Sequence, residues 1–195
     1  MIVCGVPFSP TMNLGAAYNE FMGLLPEGAW GALLDHDAVF TTRLWYGQLE
    51  EAIAFKPDAG LFVAVTNRIA PAWQQAGQSE CHDMAVHRKF GAERAAKNRT
   101  LLDVTGTKGP GGVLMVLSKT AWRDVGGFPD GMACVDHAMA FAQRDAGRKV
   151  WLMEHVFLQH WRRANGDGPP KDIPRVASCP CRGLEIQPTV RVALQ

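Results

Sequence analysis

Asp35-His36-Asp37 sets two carboxylates one residue apart at the end of an apolar run, Trp30 to Leu34. In an extended chain, residues i and i+2 face the same side. Two carboxylates held on one side of an open strand end repel each other unless a cation sits between them. Hard divalent ions such as Mn2+ or Mg2+ accept such oxygens and keep coordination positions for substrate phosphates. A lone DxD is explained equally well by a solvated turn, so the motif needs company. It comes from Phe157-Leu158-Gln159-His160-Trp161, which ends another apolar run in a histidine. A neutral imidazole there can join Asp37 and Asp35 in a metal shell, although a histidine beside a tryptophan is more often a packing residue. Asp136 is a further candidate. Near a helix start it either stabilises the helix dipole, worth about 0.3–1 kcal/mol, or acts as a base in a cleft. Taken alone, the dipole role is the simpler of the two.

The elements that must position these residues can be read from periodicity. Ile2 to Phe8 reads as a buried strand, Asn13 as an N-cap, and Leu14, Ala17, Tyr18, Phe21 and Leu25 as one helix face that Pro26 ends. Tyr18 and Phe21 are assigned to the core. Trp30 to Leu34 is a second strand, Arg43 to Phe55 an amphipathic helix, and Gly60 to Thr66 a strand buried on both faces. Alternation of this kind implies right-handed crossovers and a mainly parallel sheet, with ligands at the carboxyl ends of its strands. Residues 67–78 read as loop, His82 to Lys97 as a polar helix or flap, and Thr105 to Gly112 as a glycine-rich connection. Val113 to Leu117 is a strand, Ser118 caps a short helix, and Val135 to Ala146 is a helix that Gly147 stops. Lys149 to Met153 is a strand and Val156 to Leu158 another. Residues 163–195 read as a polar, proline-containing tail.

The chain has 195 residues, 47% of them hydrophobic, which suits one compact domain with a full core. Twenty basic and 19 acidic side chains give a formal net charge of +1, against a strongly basic nucleic-acid binder. No apolar run approaches the roughly 18 residues of a membrane span. The start MIVCGVPFSP lacks a basic segment of the secretory kind. Five cysteines at irregular spacing fit a reduced, cytoplasmic protein. Cys179-Pro-Cys181, with Cys81 and His82, can be read as a zinc set, but no second CxxC supports it, and thiols in a tail are the simpler reading.

Several motifs together resemble a known family. They are NLGAAYNEFM, LLDHDAVFTTRLWY, the Gly111-Gly112 pair before a strand, WRDVGGF, an acidic residue opening a helix, AGRKV and the terminal His160. This ordered set is similar to the nucleotide-sugar glycosyltransferases of the GT-A fold, family 2, over roughly residues 10–55 and 105–165, more than half of the chain. The resemblance implies an α/β, Rossmann-like GT-A domain over residues 1–162, a mixed but mainly parallel sheet flanked by helices. It implies that Asp37 binds Mn2+ or Mg2+ directly, that His160 adds a ligand, and that Asp35 meets the donor's sugar–ribose side or reaches the metal through water. Asp136 aligns with the general base. Asn19 and His36 fall in the donor-binding set, Gly111, Gly112 and Trp122 border sugar and acceptor, and Arg162 and Arg163 reach the diphosphate. His137 is either an acceptor contact or a structural partner of Asp136.

The implied reaction is metal-dependent transfer of a sugar, with inversion, from a nucleotide-diphosphate donor to a hydroxyl acceptor. A UDP-sugar is the expected donor and a glycan the expected acceptor. The chain departs from the family in lacking one strand–helix–strand unit at its start, so no acidic residue that reads uracil can be placed. Val135-Asp136 replaces the usual Glu-Asp pair, and the absent QxxRW motif speaks against a processive synthase. Other readings are transfer to modified DNA bases, which the basic stretch HRKFGAERAAKNR allows; a metal-dependent phosphohydrolase of the all-helical histidine–aspartate type; and an inactive nucleotide-sugar-binding module.

Overall fold

The run Leu61–Thr66 has no exposed residue, as a strand covered on both faces requires, and it forms β4 in the middle of the sheet. The computed structural model describes residues 1–77, 79–161, 176 and 190–194. In chain order the elements are β1 (Ile2–Gly5), α1 (Leu14–Leu24), β2 (Trp30–Leu34), β3 (Ala38–Phe40), α2 (Trp45–Phe55), β4, a 3-10 turn (Ala72–Gln74) and α3 (Met84–Lys97). They continue with β5 (Thr100–Asp103), β6 (Leu114–Ser118), α4 (Lys119–Asp124), α5 (Val135–Asp145), β7 (Val150–His160) and β8 (Val190–Ala193). The fold is mixed α/β in one domain. Its open eight-stranded sheet runs β1-β2-β6-β4-β7-β5-β8, with β3 also paired to β7.

The expectation of a mainly parallel sheet is corrected. Among the described strands, only β1–β2 and β4–β7 are parallel neighbours. The pairs β2–β6, β4–β6, β3–β7, β5–β7 and β5–β8 are antiparallel. The reason lies in β6, which wedges between β2 and β4 and opposes both. An apolar run reports that a strand is buried, not which way its neighbours point. The two strands expected near residues 149–158 are one, β7, eleven residues long. Its first half pairs with β5 and its last three residues with β3.

Part of the expected tail belongs to the sheet: Val190–Ala193 pairs with β5 as an edge strand, and Leu194 is buried behind it. Val176 is also buried, and its N–H donates to the Ala133 carbonyl at 3.1 Å. Glu154, which interrupts the apolar run of β7, faces this edge and pairs with Arg191 and the Thr100 hydroxyl.

Alternate residues of β4 feed two cores. Leu61, Val63 and Val65 pack with Tyr18, Met22, Met139 and Phe128 on the face carrying α1 and α5. Phe62 and Ala64 pack with Leu49 and Ala52 of α2 on the other. Asn13 caps α1 by accepting from Ala16 N–H at 3.1 Å, and the Ser118 hydroxyl caps α4 from Ala121 N–H at 2.9 Å.

Asn19 ties the first of these layers together. Its Oδ1 accepts from the Trp122 indole N–H at 2.9 Å and from Phe128 N–H at 2.8 Å, while its Nδ2 donates to the Phe128 carbonyl at 2.8 Å. Removing this amide leaves the half-buried partners without each other, so Asn19→Ala should lower unfolding stability in urea by about 2–3 kcal/mol. A change under about 0.5 kcal/mol, the level of an ordinary surface substitution, would contradict the clamp.

Candidate metal centre and cleft

Strand pairing builds the site. β2 ends at Leu34, Asp35 N–H donates to the Val113 carbonyl at 3.0 Å, and Ala38 N–H closes a turn onto the Asp35 carbonyl at 3.2 Å. The chain then enters β3, whose register sets Ala38 opposite His160. Trp161 N–H extends that ladder to the Asp37 carbonyl at 2.9 Å. Asp37 and His160, 123 positions apart in the chain, are therefore side by side. His160 Nε2 lies 3.2 Å from Asp37 Oδ1 and 4.0 Å from Asp35 Oδ2. One ligand atom from each of the three residues falls within 4.8 Å of the others, and no other such group exists among the described residues.

The imidazole is fixed from behind. Its Nδ1 is 2.7 Å from the Arg68 carbonyl, which can only accept, so Nδ1 carries the proton and Nε2 faces the carboxylates. The backbone N–H of His160 donates to Asn67 Oδ1 at 2.8 Å, and both Asn67 and His160 are buried. An imidazole whose outer nitrogen is held this way can turn Nε2 to a metal, and two carboxylate oxygens plus one imidazole suit Mn2+ or Mg2+. The two carboxylates are tuned in opposite directions. Burial raises Asp35 to about 6, opposed by His160 and reinforced by Asp37 and Asp136. Asp37 is held below the usual carboxylate range by its hydrogen bond to His160, which outweighs partial burial.

Asp136 stands across from this group in the first turn of α5, after Cys134 at φ 71. Its Oδ2 accepts from Gly112 N–H at 2.9 Å and its Oδ1 from His137 N–H at 2.8 Å. The glycine pair makes the approach possible. A Cβ on Gly112 would lie 2.7 Å from the Asp136 Cβ, and one on Gly111 2.4 Å from Ile69 Cδ1. Gln74, fully buried, pins the loop by accepting from Gly111 N–H at 2.8 Å and donating to the Gly111 and Ala64 carbonyls at 2.9 Å.

Asp35, Gly112, Cys134 and Asp136 line two cavities at once. One, of 430 Å³, is walled by Pro7, Phe8 and Ser9 beyond β1, by Tyr18 of α1 and by His36. The other, of 250 Å³, is walled by Ile69, Pro71, Gly111, His137 and His160. Asp35, His36, Gly111, Gly112, Asp136, His137 and His160 thus line these adjoining cavities, and Asp37 sits beside them against His160.

Asn19 and Trp122, expected at donor and acceptor, line neither cavity. They bond to each other and pack α1 against α4, with the Asn19 amide held between Trp122 and Phe128. Arg162, Arg163, Cys179 and Cys181 lie outside the described residues. Cys81 offers its carbonyl to His87, with His82 exposed beside it. Sequence reasoning missed Asn67, Arg68 and Gln74, which lie in a stretch read as loop. It also missed Tyr18 as a cleft residue, since burial and helical spacing marked it as core.

No protein-family model matches the chain, and no curated protein matches it. Among the described residues, no helix is long and apolar enough to cross a membrane.

The raised Asp35 has a measurable consequence. Its folded value of about 6 exceeds the ordinary 3.8, so the folded state holds a proton that the unfolded state releases. The resulting destabilisation is absent below about pH 4, grows as pH rises, and is complete above about 6. Without divalent ions, Asp35→Asn should therefore be more stable than the parent near pH 7.5, an advantage that fades on acidification to about pH 4. Urea denaturation across that range checks this, and a variant less stable at neutral pH would contradict it.

Proposed function

We propose that the chain is a metal-dependent, inverting glycosyltransferase of the GT-A kind, moving a sugar from a nucleotide-diphosphate donor to a hydroxyl acceptor. The observation that carries this reading is the meeting of Asp37 and His160 at 3.2 Å beside Asp35, at the edge of a cleft that Asp136 also lines. The sequence resemblance assigns roles to the same residues. A UDP-sugar is the donor to test first, and a glycan is the favoured acceptor over DNA given the near-neutral charge. The sheet runs against the all-helical histidine–aspartate phosphohydrolase.

In this reading Asp37, His160 and Asp35 hold Mn2+ or Mg2+, which when bound neutralises the diphosphate as it leaves. The larger cavity, floored by Asp35 and His36, takes the donor. The smaller one takes the acceptor hydroxyl, with His137 and the Gly111-Gly112 turn against it. Asp136 borders both, where a carboxylate can receive the acceptor's proton as its oxygen attacks the anomeric carbon. The backbone N–H groups of Gly112 and His137 hold that carboxylate in place. Attack from the side away from the diphosphate inverts the anomeric centre.

With Mn2+ and a panel of nucleotide sugars and acceptors, the protein should release nucleoside diphosphate. Asp136→Asn should lower the rate by about 10²–10⁴-fold, and Asp37→Ala should lower it comparably and weaken Mn2+ binding. Release of inorganic phosphate or nucleoside monophosphate instead would identify a hydrolase. Donor binding without turnover on any acceptor would identify a binding module.

A further inference from the structure

The larger cavity contains a polar group for which the fold itself has no use. Tyr18 lies on the face of α1 that packs on the sheet, is 2% exposed, and leans its ring on Phe128 with centroids 5.0 Å apart. Its hydroxyl makes no hydrogen bond among the described residues, and it is not one of the sealed, unpartnered polar atoms of the interior. The little surface that Tyr18 keeps opens on the 430 Å³ cavity that Asp35, His36 and Asp136 also line. A tyrosine buried this deeply normally finds a protein partner for its hydroxyl, whereas this hydroxyl is left to what fills the cavity.

We propose that the Tyr18 hydroxyl is a ligand-binding group: it donates a hydrogen bond to an oxygen of the nucleotide sugar seated in the larger cavity, beside Asp35. This rests on the glycosyltransferase reading and adds to it a contact in the donor site. Burial, then the charges of Asp35 and Asp136, push the phenol far above its ordinary value. Tyr18 therefore keeps its proton at any working pH and serves only as a neutral donor. A sugar or ribose hydroxyl answers this floor well, since it can accept from Tyr18 while donating to a carboxylate. Phe8, 80% exposed at the rim with Pro7 next to it, offers an apolar wall on the same side.

Tyr18→Phe tests this, because it deletes one oxygen and retains the ring on Phe128. Calorimetric titration with UDP-glucose and UDP-N-acetylglucosamine in Mn2+ should show the variant binding roughly five- to tenfold more weakly than the parent, the scale of one neutral hydrogen bond. Its thermal midpoint and its affinity for Mn2+ alone should match the parent's. Parent-like affinity for the nucleotide sugars would overturn the inference while leaving the glycosyltransferase reading intact. A lower midpoint with unchanged affinity would show the hydroxyl to be structural and overturn it equally. If the parent binds neither nucleotide sugar in Mn2+, the donor reading fails and this inference fails with it.

Discussion

The site depends on one short ladder. β3 has three residues, and its register against the end of β7 is what brings Asp37 to His160. A slip of one residue would turn Asp37 to the other side of the strand, because side chains alternate with a period of two. The register is fixed by several contacts. Trp161 N–H meets the Asp37 carbonyl, the Thr41 hydroxyl and N–H meet the Phe157 carbonyl, and His160 N–H meets Asn67. Behind them, the Arg68 carbonyl settles which imidazole nitrogen faces the carboxylates. The geometry of this cluster is a property of the backbone, carried by the end of β4, the end of β7 and the turn after β2.

The cleft gathers features that do not favour the apo fold. Burial raises the Asp35 carboxyl, Cys134 takes a left-handed backbone conformation that non-glycine residues rarely adopt, and the Tyr18 hydroxyl opens on the cavity without a hydrogen bond to any described residue. Features of this kind at one cavity fit a site arranged for a ligand. In the proposed reading, a divalent ion held by Asp35 and Asp37 would favour the ionised carboxylates, and an oxygen-bearing ligand would engage the Tyr18 hydroxyl.

Much of this was legible in the sequence because it is written in local patterns. Trp30 to Leu34 announces a buried strand by its unbroken apolar run, and Asn13, Ser118 and Gly147 mark helix ends by their own chemistry. The DxD spacing and the final histidine of β7 were visible as chemistry at strand ends. What stayed hidden is non-local. Nothing in Leu114–Ser118 tells that it runs antiparallel between β2 and β4. Thr100–Asp103 is too short and polar to read as a strand until β7 and β8 flank it. Gln74, Asn67 and Arg68 act through a buried amide, an amide oxygen and a backbone carbonyl, which leave no periodic trace. Asn19 and Trp122 bore a motif's expected roles, yet their hydrogen-bonding groups are spent on each other and on Phe128.

The central claim is that Asp37 and His160 serve one divalent ion. Pulsed electron paramagnetic resonance of the Mn2+-loaded protein tests it most directly, because bound Mn2+ reports nitrogen nuclei in its coordination shell. The account predicts coupling to a single imidazole nitrogen that vanishes in His160→Gln and leaves the folded protein otherwise intact. A Mn2+ signal without nitrogen coupling, or with coupling that survives the loss of His160, would contradict it.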